Sequence, residues 1–60
     1  MNPGQLLLLR VNGELRKGIA EKIYKEDIDI RLQTGEIILR KFWEIRKIKK
    51  NEEEKYKNIP

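Results

Sequence analysis

Sixty residues with no cysteine and no histidine exclude several routes to stability and several kinds of chemistry. A chain this short buries only about 60% of the surface its unfolded form exposes. The disulfide and zinc staples common in small domains are both missing, so apolar burial, strand pairing or self-association must hold it together. Lys and Arg outnumber Asp and Glu 14 to 10, a net charge of +4, and residues 1–50 alone hold 12 basic against 7 acidic groups. That balance permits an anionic partner without requiring one.

The opening Met1–Gln5 carries no basic region, and the apolar run that follows is too short for a signal peptide or a membrane span. The chain therefore reads as soluble, cytoplasmic and free of membrane. A first strand is predicted over 5–11. Leu6, Leu7, Leu8 and Leu9 stand in a row, so both of its faces are apolar. Such a strand is either covered on both sides or forms a subunit contact, which makes these four leucines the candidate surface for a homo-oligomer. Asn12-Gly13 then signals a tight hairpin, since both residues accept positive φ.

The second strand, over 15–25, loses its alternation by one residue between Ala20 and Ile23. A β-bulge accounts for the slip, and Gly18 offers a place for the backbone to bend. After a turn at Glu26-Asp27, the third strand is the most legible. Over 28–33, Ile28, Ile30 and Leu32 alternate with Asp29, Arg31 and Gln33. Reading Thr34-Gly35 as a two-residue turn sets Leu32 opposite Ile37 and Ile30 opposite Leu39 on the core side of a fourth strand, 36–42. It sets Arg31 opposite Ile38 and Asp29 opposite Arg40 on the other side, the last as an ion pair.

The spacing Phe42, Ile45, Ile48 does not propagate as a helix, because Lys49 to Lys55 offers no further apolar residue. A 3₁₀-like turn at 42–44 and a last strand at 45–50 are expected instead. The domain is thus residues 1–50, and residues 51–60 form a charged tail, either disordered or weakly helical. Strand, Asn-Gly turn, long bent strand, acidic turn, alternating strand, Thr-Gly hairpin and short turn before a last strand follow one another. The carrying residues are Gly18-Ile19-Ala20, Ile23, Ile28-Asp29-Ile30-Arg31-Leu32, Gly35, Ile45 and Ile48. This order resembles the small SH3-like barrels, the group of Tudor, KOW and Sm-type modules, over residues 5–50. The resemblance implies an all-β, five-stranded antiparallel half-open barrel. It says little about activity, because many functions use this barrel.

With no His, Cys or Ser, the usual nucleophile–base constellations have no members, and the chain reads as a non-enzyme. Glu26, Asp27 and Asp29 could hold a hard cation, but a metal site needs more ligands at defined spacing, and they read as a solvated turn with an ion pair; no metal or cofactor is expected. What remains is a basic and aromatic constellation. Arg40, Lys41 and Trp43 run into Arg46 and Lys47, with Lys22 and Tyr24 on the long strand and Arg31 on the third. Cations neutralise phosphates and aromatic faces stack on bases, so these residues are the candidate nucleic-acid contacts, to DNA or RNA. Other readings stand beside this one. Phe42 and Trp43 plug an end of the barrel, Lys and Arg solvate strand edges, or Ile38 and the leucine strand serve a protein partner or an oligomer.

Overall fold

The computed structural model describes residues 1–60 throughout. The chain is all-β: β1 (Leu6–Val11), β2 (Glu14–Ile23), β3 (Asp27–Leu32), β4 (Ile37–Lys41) and β5 (Ile45–Lys47), with 3₁₀ turns at Phe42–Glu44 and Lys50–Glu52. All pairings are antiparallel in one sheet of order β4-β3-β2-β1-β5, and its edges, β4 and β5, do not pair with each other. The sheet is not closed, as expected of a small half-open SH3-like barrel.

The long β2 makes the curvature possible. It pairs with β1 from Glu14 to Ile19 and with β3 from Gly18 to Ile23, so it serves two sides of the barrel in turn. At the β1–β2 turn Asn12 and Gly13 both take positive φ, 53° and 81°, the backbone that a two-residue hairpin needs. The expected bulge is present where the alternation slips, at Glu21 between Ala20 and Lys22. Gly18 is needed for closeness. A Cβ there would stand 2.3 Å from Ile30 Cγ2 and 3.1 Å from the Arg31 carbonyl oxygen.

Leu7 and Leu9 of β1, Ala20 of β2, and Ile28, Ile30 and Leu32 of β3 form the core, with Val11, Ile23, Ile38, Phe42 and Ile45 packed against it. The β3–β4 hairpin departs from expectation by one residue. Leu32 N–H donates to the Glu36 carbonyl at 2.8 Å and Gly35 N–H to the Leu32 carbonyl at 2.9 Å, with Gly35 at φ 93°. The connection is therefore Gln33-Thr34-Gly35, a turn closed by a left-handed glycine. Ile30 then faces Ile38 and Arg31 faces Ile37, while Asp29 faces Leu39 and Ile28 faces Arg40. A one-residue slip turns every side chain to the other face. Ile38 packs on the core, Ile37 and Leu39 point to solvent, and the expected Asp29–Arg40 pair does not form.

The 3₁₀ turn at 42–44 lies where the sequence places it. Its Lys41 N–H is held by the Glu44 carboxylate at 2.8 Å. The last strand is shorter than expected, ending at Lys47. Beyond it, Ile48 is buried and its N–H donates to the Leu6 carbonyl at 3.0 Å. The same Lys-x-x-Glu device recurs at Lys49, whose N–H the Glu52 carboxylate accepts at 3.2 Å.

Candidate nucleic-acid interface

The outer face of the sheet runs in cross-strand rows. One row is Arg46–Leu8–Lys17, on β5, β1 and β2. The next is Leu6–Ile19–Arg31–Ile37. Beyond the bulge come Lys22–Asp29–Leu39 and then Asp27–Lys41, with Tyr24 N–H donating to the Asp27 carbonyl at 2.8 Å.

The later rows bring Lys22, Tyr24, Arg31 and Lys41 onto one surface. Trp43 stands at its margin in the turn that leads from β4 to β5. Phe42 turns inward onto the core while Trp43 remains 72% exposed, because neighbouring residues of the tight turn cannot both enter the barrel. The Lys41 ammonium lies 6.0 Å from the Trp43 ring centroid and the Lys22 ammonium 5.4 Å from that of Tyr24, so each exposed ring has a cation at its face.

The charges of this surface are matched. Arg31 Nε donates to the Glu21 carboxylate, Lys41 Nζ lies 2.8 Å from Asp27, and Tyr24 Oη donates to Asp29 at 2.7 Å. The hydrogen bond to Asp29 raises the Tyr24 pKa by favouring the protonated phenol, helped by desolvation and by the Asp29 charge. The Lys41 pKa is also raised, first by its hydrogen bond to Asp27 and further by the charges of Asp27, Glu26 and Glu44. Among these groups lie exposed aliphatic side chains, Ile19, Ile37 and Leu39.

Arg40, Arg46 and Lys47 are placed apart from that surface. Arg40 lies opposite Ile28 on the inner face and half-buried; its guanidinium donates to the Arg10 carbonyl at 3.4 Å, spanning the open side of the barrel between β4 and β1. Arg46 lies on the outer face of β5, beyond the β1 row, with its Nη2 2.6 Å from the Glu52 carboxylate and 2.9 Å from Tyr56 Oη. Lys47, Lys49 and Arg46 border a shallow groove with Glu52.

The residues that sequence reasoning missed are the outward Ile19, Ile37 and Leu39, and the tail groups Glu52 and Tyr56. The aliphatics follow from the hairpin register. For Glu52, the repeated Lys-x-x-Glu spacing was a usable signal. Comparison with family models, with curated proteins and with solved structures finds no match to this chain.

Proposed function

We propose that the chain is a small nucleic-acid-binding module, not an enzyme, that takes a single-stranded or unpaired segment across the outer face of β2, β3 and β4. The exposure of Trp43 beside Lys41 carries this reading. A ring left in water with a cation at its face suits a stacked base with its phosphate alongside, and Tyr24 with Lys22 repeats the arrangement. Arg31 and Lys41 are tied to carboxylates, but exposed ion pairs hold weakly and exchange readily for a phosphate. The absence of His, Cys and Ser supports a binding role over catalysis. The absence of cysteine agrees with a cytoplasmic setting, and no helix is long and apolar enough to cross a membrane.

The test is a titration with single-stranded RNA, single-stranded DNA and duplex DNA over a range of salt. If Lys22, Arg31 and Lys41 each neutralise one phosphate, log affinity falls against log salt with a slope of about −2 on a single strand. Trp43→Ala costs about 1–3 kcal/mol of binding, the worth of one stacked base, with the fold intact. Absence of binding to all three nucleic acids at low salt defeats the reading.

A second reading draws on Ile37 and Leu39, which are 51% and 54% exposed on a near-neutral surface. Adjacent outward aliphatics suit a protein partner or a second copy of the chain. In one chain Leu7, Leu8 and Leu9 are already buried, so self-association would use β4 more than the leucine strand. Sedimentation at high concentration decides this. A mass above 7.2 kDa that returns to the monomer value with Leu39→Asp supports it, and a strictly monomeric chain opposes it.

A further inference from the structure

Leu8 points outward yet is 9% exposed. Its neighbours in the row, Arg46 and Lys17, show what covers it. Arg46 is bonded to Glu52 and Tyr56, Lys17 N–H donates to Pro60 O, and Lys17 Nζ donates to the Lys57 carbonyl at 3.2 Å. The segment from Lys50 to Pro60 therefore lies across this row as a strap.

What the strap presents to Arg46 has a specific chemistry. The Glu52 carboxylate sits on the guanidinium, and the Tyr56 ring centroid lies 5.6 Å from its central carbon. An anionic oxygen and an aromatic ring on one arginine are what a nucleotide offers with its phosphate and base. Lys47 and Lys49 border the same groove as Arg46 and Glu52, and neither has an ion-pair partner. The strap itself is lightly held. Its 3₁₀ turn buries no residue, and its backbone bonds beyond Glu52 are turn bonds within the strap, apart from the one that Pro60 accepts from Lys17. Segments with few buried contacts open at low cost.

We propose that Arg46 is a second nucleotide contact of this module, and that the segment Lys50–Pro60 is its resident competitor, with Glu52 in the place of a phosphate and Tyr56 in the place of a base. This rests on the nucleic-acid reading above and adds its regulation. Displacing the strap lengthens the interface from the Trp43 surface round to β5, and its return shortens it.

The experiment uses the full chain and a single-stranded DNA oligonucleotide and its RNA counterpart, titrated over a salt range. Glu52→Gln and Tyr56→Ala should each bind severalfold tighter than the parent, since neither has to displace the full set of strap contacts on Arg46. Glu54→Gln removes the same charge from the strap without touching Arg46 and should change affinity much less. Equal effects of Glu54→Gln and Glu52→Gln, or no gain from Glu52→Gln, overturn the proposal. If the parent binds and loses affinity with Trp43→Ala but ignores Glu52→Gln, only this inference falls. If neither parent nor variants bind at low salt, the nucleic-acid reading falls with it. Amide exchange in the unmodified chain gives a readout free of any variant. Exchange at Lys17, whose N–H is held by Pro60, should accelerate when oligonucleotide is bound, and unchanged protection overturns the strap's displacement.

Discussion

The outer surface of this sheet has two halves with different fates. Over β1 and β5, buried Leu8 lies between two cations, Arg46 and Lys17, and the chain's own C-terminal segment bonds to both of them. Over β2, β3 and β4, Ile19, Ile37 and Leu39 lie among matched charges and nothing in the chain covers them. The composition of the halves is similar, aliphatic side chains interleaved with Lys and Arg. Whether a given leucine is buried or left in solvent is set by whether the eleven residues of Lys50–Pro60 reach it. One half is thus a model, within the molecule, of how the other could be occupied.

The largest expected effect concerns what both halves stand on. Ile30 is fully buried beneath the sheet, against Gly18 and opposite Ile38. Ile30→Ala should cost about 2–5 kcal/mol in urea denaturation, the range for truncating a core aliphatic. A loss below about 1 kcal/mol would mean that the core is less shared than the packing indicates. The comparison itself is tested by Leu8→Ala against Leu39→Ala. The covered leucine should cost about 2 kcal/mol, the lower end for a buried leucine. The bare one should stay within about 0.5 kcal/mol, as exposed substitutions do. Equal costs would erase the distinction between the halves.

The smallest effects are those of pH, and they differ in sign. On the covered half the Glu52 carboxyl is held below its ordinary 4.5, first by the Lys49 N–H and then by Arg46, against the opposing effect of desolvation. A carboxylate depressed in the folded state contributes stability above its unfolded pKa and loses it as pH falls through the folded value. The strap should loosen only below about pH 4.5, read as faster amide exchange at Lys17. On the bare half, the Tyr24 and Lys41 pKa values are raised above 10.0 and 10.5. Both groups contribute in their protonated forms, fully below those values, and lose the contribution as pH rises through the higher folded ones. Loss of the Tyr24–Asp29 and Lys41–Asp27 contacts is therefore expected only in strong alkali, followed by tyrosine absorbance. A change near neutral pH on either half would contradict these assignments.

Much of the fold was legible in the residues themselves. Asn12-Gly13 has one economical backbone solution, and β3 alternates so strictly that Ile28, Ile30 and Leu32 could face only inward. Phe42 and Trp43 in a tight turn had to part company, though which would enter the core was open for Trp43. The candidate site was legible as a set of residue types but not as a surface. Lys22, Tyr24, Arg31, Lys41 and Trp43 gather on one side, while Arg40 was assigned to the wrong face and Arg46 has partners of its own in the tail.

The physical reason lies in β4. Ile37, Ile38 and Leu39 are all apolar, so alternation carries no information about which of them faces the core, and only the length of the turn before them decides. A two-residue turn and a three-residue turn closed by Gly35 differ by one position, and that position exchanges Leu39 for Ile38 inside and Arg40 for Lys41 outside. Local sequence determined the strands, their order along the chain and the left-handed turn residues, because these depend on backbone preferences and on period-2 patterning. Tertiary structure alone decided the register of β4 and the cover over Leu8. Those depend on which distant groups compete for the same space, and no window of the sequence contains both competitors.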